Sequence, residues 1–204
     1  MNPQPGLRER KKQRTRETIA RAAKELFVEQ GYDATTLPEI AEAADVSTRT
    51  IFAYFPSKED ILFSDFAQMK DGLARALAER PEGKDALETV REFILASQVA
   101  KRSELDSQLH LCVTSDPTLR SHLRARIAQL EEVIAPAIAD DLGAREDDTS
   151  PQVLAASLTA AFNLLAERGV KARAWTPEEV AAQIDPVFTF LRGGLEALRH
   201  SDRA

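Results

Sequence analysis

This chain reads as an all-α protein on three observations. Apolar residues recur at three- and four-residue steps through most of the sequence, the period of an amphipathic helix. Helix-start chemistry repeats along it: Thr36 with Glu39, Ser47, Ser57 with Asp60, and Thr176 with Glu179 each stand just ahead of a periodic apolar run. Glycine is scarce, with eight residues in 204, and aromatics make up 6%, while the good helix formers Ala, Leu, Glu and Arg dominate.

Residues 8 to 16, Arg8-Glu-Arg-Lys-Lys-Gln-Arg-Thr-Arg16, carry six basic side chains and one acidic one. They lead into a helix with Ile19, Ala22, Ala23, Leu26 and Phe27 on one face, which Gly31 stops. Thr36 and Glu39 have the spacing of a capping box, Pro38 is tolerated in the first turn, and Leu37, Ile40, Ala41 and Ala44 share a face. Ala44-Asp45-Val46 interrupts that pattern, and Ser47 caps a further helix whose inner face holds Ile51 and Phe55. Pro56 cannot continue it, and Ser57 with Asp60 starts another. Two short helices joined by a tight turn are the layout of a helix-turn-helix, whose second helix enters the DNA major groove. A plain helical hairpin at the corner of an all-α core fits the same spacing. The basic segment separates the two readings, because an arm of positive charge ahead of a helix-turn-helix reaches phosphates or the minor groove. Taken alone, the same run also fits a solvated tail.

Helices are predicted throughout the remainder. One runs from about residue 58 to 79 and ends before Pro81. Others cover about 85 to 101 and 105 to 113, and a long one covers 117 to 141 with a kink at Pro136. Residues 142 to 151 are polar and loop-like. The last two helices span about 151 to 169 and 176 to 200, the second opened by the Thr176 and Glu179 capping box with Pro177 at its first position.

Residues 14 to 62 resemble the DNA-binding domain of the TetR family of bacterial transcriptional regulators. The resemblance rests on Arg14, Ile19, Ala22, Ala23, Leu26, Phe27, Gly31, Thr35, Thr36, Ile40, Ala41, Ala44, Val46, Ser47, Tyr54, Phe55, Ser57, Lys58, Glu59 and Leu62. It implies a dimeric, all-helical regulator in two parts. Residues 1–57 form a three-helix operator-binding domain with its basic arm, and residues 58–204 form a helical effector-binding and dimerisation domain. By the same carry-over, Ser47, Thr48, Arg49 and Thr50 open the recognition helix, and Arg14 and Thr36 join the DNA-facing set. Arg49 is the expected base reader, since Arg to guanine is the commonest specific contact. Thr50 and Tyr54 are expected on phosphates, Tyr54 alternatively on a base, and Lys58 on phosphate at a helix start. Three positions depart from the family pattern. Phe52 stands where Tyr is usual, Tyr54 where His is frequent, and Ala53 where a larger residue is common. These departures bear on which operator is read and leave the binding mode intact. Phe52 is read as core packing.

In the resembling family an effector pocket lies among the middle helices. Polar residues on otherwise apolar faces, Ser97, Gln98, Gln108, His110 and Asn163, and the apolar Phe66, Met69, Phe93, Leu111 and Phe162 are the pocket set, with ordinary core or surface placement as the other reading of each. Leu154, Leu158 and Phe162 on one helix and Ile184, Phe188, Leu191 and Leu195 on the next form two apolar stripes. The resemblance assigns them to a four-helix dimer interface; the pattern alone fits the monomer's own core as well. A two-fold dimer implies a palindromic operator on double-stranded DNA.

The charge distribution agrees with this division. The net charge is −6, yet residues 1–60 balance ten basic against ten acidic side chains, with the positives massed before residue 17. Residues 61–204 hold 17 basic and 23 acidic groups, and an acidic body limits non-specific DNA binding. Enzyme chemistry has no support: there is no His-Glu-x-x-His, paired Cys-x-x-Cys, Gly-rich phosphate loop or nucleophile elbow. His110 and Cys112 are two residues apart and diverge on a helix, so no metal or cofactor is expected. The single cysteine fits a reducing cytoplasm, and no apolar run approaches the ~20 residues that cross a membrane. Cysteine usage points to the cytoplasm, and the resemblance implies a homodimeric, ligand-responsive regulator of transcription, a repressor by the habit of that family. The alternative is a helical interaction module or sensor without specific DNA binding. The effector and the operator sequence are not legible.

Overall fold

The computed structural model describes residues 6–99, 104–169 and 177–201, which form eleven helices and no strand. They are α1 (Leu7–Gln30), α2 (Leu37–Ala43), α3 (Thr48–Tyr54), α4 (Lys58–Leu62), α5 (Ser64–Ala78), α6 (Ala86–Val99), α7 (Glu104–Ser115), α8 (Pro117–Ala128), α9 (Glu131–Leu142), α10 (Ser150–Gly169) and α11 (Pro177–Ser201). The chain divides into two compact units. The first is Met1–Asp65 with Ser103–Cys112, and the second is Phe66–Arg102 with Val113–Ala204. Thr176, expected to cap α11, and the side chain of Gln98 lie outside the described residues.

In the first unit the core is small and aliphatic. Ile19, Ala23 and Phe27 of α1, Ile40 of α2, Ile51 of α3 and Ile61 of α4 are all fully buried, and α1 packs on α2 and α4 while α2 packs on α3. Gly31 ends α1 at φ 90°, a conformation that suits glycine, and its N–H bonds to Phe27 O. The basic segment is not a separate arm: α1 begins at Leu7, so residues 8–16 are its first turns. Lys24 crosses the unit from α1 to Asp65 and to Asp106 of α7, the latter at 3.2 Å. Burial pulls its ammonium down, but the two carboxylates outweigh that and hold it above its ordinary value of 10.5.

Two expected helices are broken. The helix foreseen over 58–79 divides at Phe63 into α4 and α5. Ile61, Leu62, Phe63 and Ser64 are exposed by only 0, 5, 9 and 3%. Four consecutive residues advance about 100° each on a straight helix and cannot all face inward. The turn at Phe63 (φ −98°, ψ 24°) is what permits it. The helix foreseen over 117–141 divides at Gln129 and Leu130, ahead of the expected kink. There Gln129 and Leu130 donate to Arg126 O and Ile127 O in tightened three-residue turns, burying Leu130 to 3% exposure. Pro136 sits inside α9, where it removes the bond to Glu132 O.

The second unit is built on a larger core. Leu73 and Leu77 of α5, Leu87 and Val90 of α6, Ile134 and Ile138 of α9, Leu158 of α10 and Ile184 of α11 meet there. Arg80 locks the end of α5 by donating to Leu77 O at 2.8 Å and to Asp141 at 3.0 Å; the second oxygen of Asp141 accepts the Ala86 N–H that opens α6. Arg91 of α6 pairs with Asp185 of α11 at 2.7 Å.

Candidate DNA-binding site

The site starts from local capping. Thr36 and Glu39 close the predicted box reciprocally. The Thr36 N–H donates to the Glu39 carboxylate at 2.7 Å, the Thr36 hydroxyl donates to it at 2.8 Å, and the Glu39 N–H returns to Thr36 Oγ1. These bonds hold the Glu39 carboxyl below its ordinary value of 4.5, the Thr36 hydroxyl first among them. α2 ends at Ala44, and the chain reverses through Asp45 at φ 52°, the one non-glycine residue with positive φ among the described residues. Asp tolerates this left-handed conformation better than most side chains. The Val46 N–H then bonds back to Ala41 O at 2.9 Å. Ser47 accepts the Thr50 N–H at 3.0 Å and starts α3. Helix, left-handed turn and capped helix are the helix-turn-helix that the spacing predicted.

α3 is held from beneath. Ile51 and Phe55 are 0 and 1% exposed. Arg16 of α1 donates to Tyr54 O at 2.9 Å, and its guanidinium lies 4.3 Å from the Phe55 ring centroid. That contact ties the last basic residue of the run to the end of the recognition helix. Its two partners lie 38 and 39 residues away, so no local pattern announces it. The outward face of α3 carries Ser47, Arg49, Phe52 and Ala53, all exposed. Arg49 makes no hydrogen bond or ion pair among the described residues, which leaves its fork free for an outside acceptor. Thr48 and Tyr54 are half-buried, and the Thr50 and Ser47 hydroxyls bond each other at 2.7 Å. Arg14 is exposed on α1 beside Arg10 and Lys11.

Two residues stand differently from expectation. Phe52, read as core, is 55% exposed. It lies one residue, about 100°, past Ile51, and Ile51 with Phe55 already fills the inner face. Lys58, expected on phosphate, turns inward. Its ammonium donates to Tyr32 O and Thr35 O at 2.7 and 2.8 Å and stands 4.1 Å from the Tyr32 ring centroid. Burial, then the nearby Glu59 carboxylate, pushes the Tyr32 phenol above its ordinary value, so the ring under Lys58 stays neutral.

The expected effector set is divided. Phe66, Met69, Phe93 and Phe162 are half-buried against the core of the second unit, where Asn163 is also half-buried. Ser97 is exposed there and donates to Ile94 O. Gln108, His110 and Leu111 belong to the first unit; Leu111 is 48% exposed, and Gln108 reaches Glu104 of its own helix. The stripes assigned to a dimer close inside the monomer. Leu154, Leu158, Ile184, Phe188, Leu191 and Leu195 are each 7% exposed or less in the single chain, which leaves them almost no surface for a partner, while Phe162 of the same set is half-buried. The outward faces of the same helices carry Val153, Ala156, Ser157, Ala160 and Leu164 on α10, and Pro186, Phe190, Gly193 and Ala197 on α11, all uncharged.

A capped recognition helix with an unpaired Arg, braced by a basic first helix, defines a helix-turn-helix DNA-binding regulator. Residues 19–64 match the model for bacterial regulatory proteins of the tetR family, and residues 84–196 match the MftR C-terminal domain. The chain belongs to the TetR family of transcriptional regulators. It is similar to the HTH-type transcriptional regulator TcmR of Streptomyces glaucescens, 33% identical over 165 residues that cover 76% of this chain and 73% of that protein. It is also similar to MftR of Mycobacterium tuberculosis, 31% identical over 152 residues, 72% of this chain and 75% of that one. Among solved structures, NalD, the secondary repressor of the MexAB-OprM multidrug efflux pump in Pseudomonas aeruginosa, matches with a TM-score of 0.61 at 23% identity, over 87% of this chain and 96% of its own, a likeness of fold. Thermus thermophilus FadR, a repressor solved in complex with lauroyl-CoA, matches with a TM-score of 0.54 at 28% identity, over 86% of this chain and 92% of its own. No helix among the described residues is long and apolar enough to cross a membrane.

Proposed function

We propose that this regulator is a cytoplasmic repressor that binds a palindromic operator as a homodimer and is released by a small-molecule effector. The observation that carries the operator reading is Arg49, exposed and unpaired on the outer face of a recognition helix that is capped and braced. Residues 1–57, all in the first unit, form the operator-binding part, and within residues 58–204 the second unit serves effector binding and dimerisation. Support for a second copy of the chain comes from the uncharged outward face of α10 and α11, where Val153, Leu164 and Phe190 are 60, 58 and 78% exposed. Apolar faces of this kind mark association sites. A two-fold dimer presents two α3 helices to half-sites about 34–36 Å apart or a multiple of it.

Half-buried Phe66, Met69, Phe93 and Phe162 beside the second core favour an effector with apolar bulk, and the lauroyl-CoA complex of FadR supports that class. Such a ligand releases DNA only through a preference for a conformation whose recognition helices are wrongly spaced. A hundredfold loss of affinity needs about 2.7 kcal/mol of that preference. The test is fluorescence anisotropy of the purified chain on DNA from immediately upstream of its own gene, against random duplex, at two salt concentrations. Tight, palindrome-dependent binding that Arg49→Ala weakens at one base position is the expected result. Equal effects of Arg49→Ala on specific and random DNA would sink the base-reading role.

A further inference from the structure

Phe52 is a large apolar side chain that the fold leaves outside. Its helix has only seven residues, and the inner positions are taken by Ile51 and Phe55. Phe52 follows Arg49 by three residues and Ala53 follows it by four, so the three share the outward face one helical turn apart. That face belongs to the recognition helix of a DNA-binding domain, and the apolar surface offered for self-association lies elsewhere, on α10 and α11. A phenyl ring has no donor for phosphate and no acceptor for a base amine. The one apolar group that base edges present in the major groove is the 5-methyl of thymine.

We propose that Phe52, with Ala53 beside it, is a specificity-determining residue that packs on a thymine methyl in each operator half-site. The assignment rests on the operator-binding reading above. Ala53 ends at its Cβ and leaves space for the ring to lie along the groove floor. Three to four residues of helix advance about 4.5–6 Å, and base pairs step by about 3.4 Å. The thymine therefore lies one to two base pairs from the guanine that Arg49 reads.

The experiment begins with selection of bound sequences from a random duplex pool by the full-length protein. In the selected site each thymine is then replaced by deoxyuridine, which deletes only the methyl group, and each cytosine by 5-methylcytosine. Binding is measured for wild type, Phe52→Ala and Phe52→Leu. For the wild type we expect one thymine per half-site whose replacement weakens binding about fourfold, the factor that burial of one methyl supplies, and about fifteenfold when both half-sites are changed. Phe52→Ala should bind thymine and uracil duplexes alike, while Phe52→Leu keeps a preference. The Phe52→Ala variant should still lose affinity when 7-deazaguanine replaces the guanine, which shows that its recognition helix remains formed. A wild type indifferent to every thymine-to-uracil change, or a Phe52→Ala variant that keeps the preference, overturns the assignment while the operator reading stands. A change in oligomeric state without a change in base preference overturns it in favour of self-association. Selection that enriches no sequence overturns the operator reading and this assignment together.

Discussion

Lys58 offers the sharpest test of how this domain is held. Its sequence position suggests a phosphate contact, whereas its ammonium donates to Tyr32 O and Thr35 O at 2.7 and 2.8 Å, over the Tyr32 ring. Hydrogen bonds to a charged group contribute about 1.5–3 kcal/mol each, and an exposed cation–π contact about 0.5–1 kcal/mol. The side chain is half-buried, so water replaces part of what a deletion removes. Those contributions sum to about 3.5–7 kcal/mol, and rehydration of the freed groups reduces the net loss for Lys58→Ala to about 2 kcal/mol. In a chain of this size that lowers the melting temperature by about 4–8 °C. Lys58→Met, which keeps the stem and drops the charge, should recover only the packing share. Thermal unfolding by circular dichroism reads the stability, and the salt dependence of operator affinity reads phosphate contacts, each worth about one unit of slope. We expect a lower melting temperature with the slope unchanged. An unchanged melting temperature with a slope reduced by about one unit refutes the reasoning and returns Lys58 to the DNA.

Three further expectations follow from particular contacts. Phe190→Glu, on an outward face at 78% exposure, should leave the melting behaviour of the monomer within about 0.5 kcal/mol and abolish the dimer in analytical ultracentrifugation, whereas Phe188→Ala, at 5% exposure, should cost about 3–5 kcal/mol of stability; a Phe190→Glu dimer of wild-type strength excludes that face. The Glu39 carboxyl is held below 4.5, so its contribution is complete above that pH and is lost as pH falls through the lower folded-state value. Acid titrations of wild type and Glu39→Gln should therefore diverge above that window and converge below it, and parallel curves throughout would remove Glu39 from the linkage. Asp45→Gly relieves a left-handed residue at φ 52° and should stabilise the domain by about 1 kcal/mol or less, read as a rise in the denaturant midpoint.

What was legible in the sequence is what is decided within four residues. The Thr36 and Glu39 box, the Ser47 and Ser57 caps and the Gly31 stop all appear in the fold because both partners of each contact sit in one helical turn. Side-chain direction on a helix is less local. A stripe such as Ile184, Phe188 and Leu191 shows that a face is apolar but not whether it meets its own chain or a second one. Here it meets its own, and the outward face, where Val153, Leu164 and Phe190 alternate with small and polar residues, makes no continuous apolar stripe in the sequence. Phe52 departs from expectation for a related reason: a phenylalanine reads as core by composition, but Ile51 and Phe55 already fill the inner face. Lys58 and Arg16 depend on partners 23 to 39 residues away, beyond any spacing rule. The breaks at Phe63 and at Gln129–Leu130 arise from burial demands on consecutive residues, which periodicity over a long window averages out.

The helical start of α1 has one more consequence. Coiled into helix, residues 8–16 place Arg8 near Lys11 and Lys12, Arg10 and Lys11 near Arg14, and Lys12 near Arg16, like charges at three- and four-residue steps. Each such pair opposes the helix by about 0.2–0.5 kcal/mol, and cations at a helix N-terminus are opposed by its dipole as well. Gly6 supplies no side-chain cap. The first turns are thus a spring wound against its own charge, and a polyanion alongside relieves the tension. We expect amide exchange at residues 10–16 of the full chain to slow as ionic strength rises, and to slow further on duplex DNA. On that reading the nucleic acid acts as a counterion that finishes folding the protein, and exchange rates indifferent to both salt and DNA would show the spring to be slack.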